Sequence, residues 1–185
     1  MVALRDGAGS PRVVCSGAGM TSVAEWAVAL LEVASSADWA NGRYPGRRVI
    51  GNSTIDWSSP CDGLLGVEML GFDYAGETFP NPSSVTRGPF GRPCADDIWM
   101  ARWDVSIVSC ADTFAGDDGA AASPDRLNAN AAELFGDAHA VWTALRGYNW
   151  PSPTSVIVGG YRPLARTGNA SGYAVSVTTK VTTCP

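Results

Sequence analysis

The first clear pattern along the chain is a helical one near its N-terminal end. Ser22 and Glu25 have the S-x-x-E spacing of a capping box, which satisfies free backbone N–H groups at a helix start. Apolar residues then recur at the spacing of one helix face. They are Val23, Trp26, Ala27, Leu30, Leu31 and Ala34. The pattern predicts an amphipathic helix from about Thr21 to Asp38.

A second helical pattern begins at Ser123, which is a good N-cap, with Pro124 at the first helical position. Its apolar stripe consists of Leu127, Ala131, Leu134, Phe135, Ala138, Val141, Trp142 and Leu145. Gly147 is the expected C-terminal stop. His139 lies beside the stripe, and we interpret it as a histidine on the flank of the helix rather than a catalytic one.

Two long stretches alternate instead with a period of two, which is typical of strands with one buried face. Their apolar sets are Trp99, Ala101, Trp103, Val105 and Ile107 in the first, and Tyr173, Val175, Val177, Thr179 and Val181 in the second. Arg102 and Asp104 alternate with the first set, so we expect them on the wetter face of that strand.

Shorter strands complete the pattern. We expect them at Leu64–Phe72, at Arg47–Ile50 and at Val156–Val158. Gly168-Asn169 suits a hairpin loop that joins the last of these to the strand around residues 173–182.

The order of elements is therefore helix, strands, helix, strands, which favours an α+β fold. We expect a mixed, mostly antiparallel sheet packed with two helices, in one domain over residues 1–185. An N-terminal segment (residues 1–20) and an arm (residues 73–97) extend from it. The arm is rich in Gly and carries Pro80, Pro82, Pro89 and Pro93. A loop of that length between strong strands is usually functional, so we expect it to reach a neighbouring subunit.

Composition and charge argue against several classes of function. The net charge is −5, so the chain lacks the basic excess of a sequence-specific DNA reader. No apolar stretch approaches the roughly 18 residues of a membrane span, and no signal-peptide core is visible over residues 1–10.

The sequence contains few candidates for catalytic, metal-binding or cofactor-binding residues. The five cysteines show no C-x-x-C spacing, and an odd number in a chain without a signal peptide argues against a full disulfide framework. A mixed metal site from Cys61, Cys94, Cys110 and His139 stays open as a minor alternative. Neither a phosphate-binding G-x-x-x-x-G-K-[ST] loop nor a G-x-S-x-G elbow occurs. We therefore expect no catalytic residues, no metal and no cofactor.

One series of short motifs has a recognisable order. It consists of Asp56-Trp57, Cys61-Asp62-Gly63-Leu64, Phe79-Pro80, Cys94-Ala95, the strand Trp103–Ala111, Asn130-Ala131, Gly136-Asp137-Ala138 and the turn Val156–Leu164. With this series, the chain resembles tail-assembly proteins of bacteriophages that infect actinobacteria, over roughly residues 20–183. It departs from the family pattern at Ser109, Asp112 and Ala165, where arginine, proline and glycine are usual.

Within that group the order of helices and strands looks like a tail terminator. The resemblance implies a homo-hexameric ring that caps the tail tube, ends tube polymerisation and joins the tail to the head connector. It implies that the ring contacts the major tail tube protein below it and a stopper or connector protein above it. It also implies genomic DNA that passes through the lumen without specific binding, a place at the neck of the virion, and assembly in the host cytoplasm. The alternatives are another head–tail connector, such as a stopper or joining protein, and the cysteine–histidine metal module.

Seven tryptophans are many for a chain of 185 residues, and aromatic residues are favoured at interface centres. The expected interface residues lie at predicted element ends or in the arm. They are Trp57, Phe79, Phe90, Tyr148 and Trp150. The tryptophans on apolar stripes, at positions 26, 99, 103 and 142, are expected in the core.

Overall fold

The structure is a computed structural model. It describes residues 3–5, 11–13, 22–39, 45–51, 63–75, 79–82, 98–110, 114–115, 120–121, 123–151, 155–164 and 170–182. In chain order its elements are β1 (Ala3–Arg5), β2 (Pro11–Val13), α1 (Val23–Ser35), β3 (Arg47–Gly51), β4 (Leu64–Tyr74), β5 (Ile98–Cys110), β6 (Phe114–Ala115), β7 (Ala120–Ala121), α2 (Pro124–Gly147), β8 (Val156–Pro163) and β9 (Ala170–Thr182).

A five-stranded sheet organises these elements in the order β3-β4-β5-β9-β8. The β3 strand runs parallel to β4, and every other neighbouring pair in this sheet is antiparallel. Two antiparallel pairs, β1-β2 and β6-β7, form separate two-stranded sheets. The expected α+β class, with a mixed and mostly antiparallel sheet and two helices, is confirmed.

Both helix starts follow the predicted caps. The Ser22 side chain accepts a hydrogen bond from the Glu25 backbone N–H at 3.2 Å, and the Glu25 carboxylate accepts one from the Ser22 N–H at 3.0 Å. At α2 the Ser123 hydroxyl accepts from the Arg126 N–H. The helix ends at Gly147, as the sequence predicts.

The predicted apolar stripe of α2 is wrong for its first two turns. Leu127 is 43% exposed and Ala131 is also exposed, whereas Leu134, Val141 and Leu145 are buried. The helix therefore packs on the sheet through its C-terminal two-thirds.

The main core lies between the sheet and the two helices, which cover the same face. Trp26 and Leu30 of α1, Val141 and Leu145 of α2, and the inward residues of β5 and β9 belong to one apolar cluster. Each large side chain buried in this way stabilises the fold by roughly 1.5–3 kcal/mol. Trp103, 2% exposed, donates a hydrogen bond from Nε1 to the buried Thr179 hydroxyl at 2.9 Å. The predicted core position of Trp26 and Trp103 is confirmed.

The opposite face of the sheet carries a smaller apolar cluster of Leu64, Val108 and Ala170. Arg102 is exposed on this face, as expected of the wetter side, but Asp104 is only 4% exposed. The expectation of a solvated Asp104 is therefore wrong. The guanidinium of Arg162, on β8, pairs with this carboxylate and allows it to be buried.

The predicted arm over residues 73–97 starts later than expected, because β4 continues to Tyr74. The Ala75 N–H donates to the Ile98 carbonyl, which marks the point where the chain leaves the sheet. Beyond it, the structure describes the arm only at residues 79–82, where Pro80, Asn81 and Pro82 are exposed.

Candidate interaction surface

The predicted interface residues fall into different environments. Phe79 is half-buried beside the exposed Pro80, and Tyr148 is 47% exposed directly after α2. Trp150 is 6% exposed and belongs to the main core. Trp57 and Phe90 lie outside the described residues. Of the five, the structure brings two together: Tyr148 and Trp150, whose ring centroids are 4.7 Å apart.

Trp150 is fixed from three sides. Its Nε1 donates to the Leu145 carbonyl at 3.0 Å, and its ring lies 5.7 Å from that of Trp26. Tyr148 packs edge-on against it from the outside. Within one chain, Trp150 closes the end of the core, and Tyr148 is the residue of the pair that a partner can touch.

A larger exposed group of rings lies between α2, β8 and β9. We call it the aromatic surface patch, and it consists of Phe135, His139, Trp142, Tyr161 and Tyr173. The Tyr161 ring is at its centre, with centroids 5.5 Å from Phe135, 6.1 Å from Tyr173, 6.4 Å from His139 and 6.5 Å from Trp142. Phe135 is 50% exposed and His139 is exposed, so the patch faces the surface of the chain.

Local sequence explains the helical side of the patch. Positions 135, 139 and 142 lie at i, i+4 and i+7 on one face of α2. The Arg146 guanidinium continues this face and lies 4.9 Å from the centre of the Trp142 ring, within the range of a cation–π contact. Polar and apolar side chains therefore alternate along the outer flank of α2.

A β-bulge shapes the strand side. The register between β8 and β9 shifts between Val158 and Tyr161, which leaves Gly159 and Gly160 across from Ser176. The Trp142 Nε1 donates to the Gly159 carbonyl at 2.8 Å, and the Ser176 hydroxyl donates to the Gly160 carbonyl at 3.2 Å. The bulge thus ties the outermost strand of the sheet to α2 and holds the Trp142 ring at the patch.

Sequence reasoning missed this patch because it placed Phe135 and Trp142 on a buried stripe. Phe135 is half-exposed instead, and Trp142 is only partly buried. The presence of His139 and Arg146 on the same helix face was the available signal, since a fully buried face rarely carries both. His139 does lie on the helix flank, with its ring stacked on Trp142 at 5.6 Å.

A separate charged cluster lies on the opposite face of the sheet. Glu68 and Asp104 are direct cross-strand partners, and the Arg162 guanidinium binds the Asp104 carboxylate at 2.5 Å. Burial raises the pKa of Asp104 above its usual range, and the charge and hydrogen bond of Arg162 offset only part of that rise. Burial, and then the charge of Asp104, raise the pKa of Glu68. The cluster therefore places two carboxylates and one guanidinium together on this face of the sheet.

Within the described part of the chain, no group of three or more His, Cys, Asp or Glu side chains is placed to hold a metal ion. Cys110, one of the four residues of the alternative metal site, is disulfide-bonded and so offers no thiolate. Over the same residues, no helix is both long enough and apolar enough to cross a membrane.

Comparisons with known proteins add no family assignment: no family model matches the chain, and no curated protein is significantly similar to it.

Proposed function

We propose that this chain is a structural protein of a bacteriophage virion, a tail terminator whose ring caps the tail tube. In this role it ends tube polymerisation and joins the tail to the head connector. The observation that carries the proposal is the aromatic surface patch, a contact surface built on rigid elements of an α+β fold. The resemblance of the sequence motifs supplies the identity of the assembly.

The patch has the composition of a protein contact site. Tyr, Trp, Phe and Arg are the residues enriched at the centres of protein interfaces. Here one face combines Tyr161, Trp142, Phe135 and Arg146, and the elements that carry them are fixed by hydrogen bonds and core packing. Because the rings are already held in place, this surface loses little conformational entropy when a partner binds to it.

Two further predicted interface residues support contacts elsewhere on the subunit. Tyr148 is exposed at the end of α2, and Phe79 is half-buried beside the exposed Pro80 beyond β4. A ring subunit needs several separate surfaces, since it touches two lateral neighbours and the layers above and below. We propose a homo-hexamer, with the major tail tube protein on one side and a stopper or connector protein on the other.

The charge of the chain agrees with passage of DNA. Proteins hold DNA through Lys and Arg contacts to phosphate, which release counterions. The net charge of −5 gives the chain no basic excess, which agrees with a ring that lets the genome pass without specific binding. The proposed role involves neither a catalytic step nor a cofactor, and it places the protein at the neck of the virion after assembly in the host cytoplasm.

Native mass spectrometry with negative-stain imaging tests the proposal. The chain is purified alone and together with the tail tube protein encoded by the same phage. The expected species is a closed ring with six times the 19.3 kDa subunit mass, seated on one end of a tube of limited length. A chain that stays monomeric even with tube protein present contradicts the proposal.

A gold-labelled copy of the chain in assembled particles tests its position. Label at the top of the tail, next to the tube, supports the terminator. Label confined to the head side of the connector would instead assign the chain to the stopper or joining proteins.

A further inference from the structure

One cysteine of the described residues, Cys110, is disulfide-bonded. It is the last residue of β5, and in the register of the sheet it lies opposite Ala170 of β9. Cys110 follows Val108 by two positions, so its side chain belongs to the sheet face that is turned away from both helices. The other four cysteines lie outside the described residues, so the covalent reach of the chain decides which of them can be its partner.

Two of the four cysteines are too far from Cys110. The strand β5 runs without a register shift from Ile98 to Cys110, a length of about 40 Å. Cys94 precedes Ile98 by four residues and can lie at most about 14 Å from it. Cys184 follows Thr182, the partner of Ile98 in β9, by two residues and is held to the same end of the sheet. Both cysteines therefore stay at least about 25 Å from Cys110, whereas the two Cα atoms of a disulfide lie within about 7 Å of each other.

Cys61 is the cysteine that the register brings to the same end of the sheet as Cys110. It precedes Leu64 by three residues, and Leu64 is in register with Val108, two residues before Cys110. Leu64 is therefore about 8 Å from Cys110, and Cys61 can lie up to about 11 Å from Leu64, so the two cysteines can meet at bonding distance. Cys15 precedes α1, which packs on the face of the sheet opposite to Cys110, so a bond to Cys15 would require the chain to pass around the sheet edge.

We propose that Cys61 and Cys110 of one chain form a disulfide that closes when the chain meets an oxidising environment. In the closing step the two thiols exchange with one glutathione disulfide. The protein S–S bond forms, the glutathione S–S bond breaks, and two glutathione thiols carry away the two protons and two electrons. The bond ties the start of β4 to the end of β5, at the opposite end of this strand pair from the arm. It stays open in a reducing cytoplasm, and once closed it stabilises the fold mainly by restricting the unfolded chain. The inference does not depend on the proposed function.

Peptide mapping of the full chain tests the pairing, because trypsin places each of the five cysteines in a different peptide. These peptides span residues 13–43, 49–87, 88–102, 103–126 and 181–185. The chain is incubated with excess glutathione disulfide, the remaining thiols are blocked with iodoacetamide, and the denatured protein is digested without reductant. The expected product in mass spectrometry joins peptide 49–87 to peptide 103–126 and separates into these two peptides on reduction.

Other peptide maps overturn the inference. A link from peptide 103–126 to any peptide other than 49–87 gives Cys110 a different partner, and a link to peptide 13–43 assigns the bond to Cys15. Blocked thiols on both proposed partners after oxidation show that no bond forms between them. Equal amounts of isotopically heavy and light chain, mixed before oxidation, separate a bond within one chain from a bond between two copies. Heavy–light products contradict the proposed bond, which lies within one chain.

Thermal unfolding measures what the bond does. A reductant should lower the melting temperature of the oxidised chain by about 10 °C, because the bond closes a loop of roughly 50 residues. Cys61→Ser and Cys110→Ser should each melt near that lower temperature, with or without the reductant. The matched control is Cys184→Ser, which removes a cysteine beyond reach of Cys110 and should melt within about 2 °C of the unmodified chain in both conditions. A reductant that leaves the melting temperature of the unmodified chain unchanged overturns the inference, and this comparison needs no variant to fold.

Discussion

At the scale of single residues, Asp104 shows how a charge can be buried in this fold. Its place on the polar alternation of β5 was predictable, but its burial was not, because the compensating Arg162 comes from a strand far along the chain. A sequence pattern gives the face on which a residue lies. It does not say which residue of a distant strand the sheet order will place beside that residue.

Removal of the Arg162 guanidinium should leave the Asp104 carboxylate buried without an opposite charge beside it. We expect Arg162→Gln to lower the free energy of unfolding by about 1–3 kcal/mol, measured by urea denaturation at pH 7. The matched control is Arg102→Gln, which breaks the exposed pair with Asp73 (2.9 Å, side chains 54% and 39% exposed). Exposed pairs contribute little, so this change should cost less than about 1 kcal/mol. Equal losses in the two variants would contradict the role given to Arg162.

The Glu68–Asp104 pair predicts a pH dependence. Both pKa values are raised in the folded chain, so the folded state keeps protons that the unfolded chain has already lost. The stabilising contribution is therefore complete below the ordinary carboxyl pKa, about 4, and is lost as the pH rises through the raised folded values. Glu68→Gln removes the like charge opposite Asp104. It should stabilise the protein by about 0.2–1 kcal/mol at pH 7, with the gain shrinking as the pH falls.

Thermal unfolding across pH 3.5 to 7 measures this effect, with Glu32→Gln as the control. Glu32 is exposed on α1, and a surface substitution there should change the stability by less than about 0.5 kcal/mol. A gain from Glu68→Gln that stays constant over the whole pH range would show that the charge of Glu68 is not its cause.

At the scale of elements, local signals were sufficient for the helix starts and for the end of α2, but not for strand pairing. The caps of both helices, the end of α2 at Gly147 and the alternation of β9 all depend on neighbouring residues, and the structure confirms each of them. In β5 only the inward apolar set is confirmed, because residues 103–108 are buried on both faces of the strand. The parallel pairing of β3 with β4 and the bulge in β8 depend on contacts between distant segments. No local pattern at Arg47–Ile50 or at Gly159-Gly160 specifies which strand lies alongside.

The two bulge glycines should respond differently to the same substitution. A Cβ at Gly159 would overlap the Ser176 hydroxyl, which would have to rotate out of its hydrogen bond to the Gly160 carbonyl, and it would lie 3.3 Å from the Ser176 carbonyl oxygen. A Cβ at Gly160 meets no atom within 4 Å. We expect Gly159→Ala to destabilise the fold by about 0.5–1.5 kcal/mol through loss of that hydrogen bond, with Gly160→Ala nearly neutral. Urea denaturation compares the two, and equal effects would contradict the packing of the bulge.

At the scale of the whole molecule, the candidate surface could be predicted only in part. Tyr148 of the predicted set is exposed, but the larger patch was missed. Its helical residues come from α2, while Tyr161 and Tyr173 reach it only because β8 and β9 lie under the C-terminal part of that helix. The sheet order that joins them is a property of the folded chain.

Substitutions at Tyr148 and Trp150 should show that the proposed assembly and the stability of the monomer depend on different residues. Trp150→Ala removes a buried ring from the core and should lower the free energy of unfolding by about 3–5 kcal/mol. Tyr148→Ser removes an exposed ring and should change monomer stability by less than about 1 kcal/mol, while it weakens the ring measured by native mass. Unfolding curves give the first quantity, and a Tyr148→Ser chain that assembles as well as the unmodified one would remove Tyr148 from the interface.

The bulge at Gly159-Gly160 also has a consequence for the proposed ring, since it affects whether copies of the chain could add to one another without limit. A straight outer strand is a template on which further strands can add without limit, which is the route to fibres. The bulge twists the outer strand of the described sheet, and two of its carbonyls are already occupied by Trp142 and Ser176. In the proposed ring, this edge would disfavour backbone pairing between copies, which has no natural end, and would leave side-chain contacts, whose angle can set a finite number of subunits.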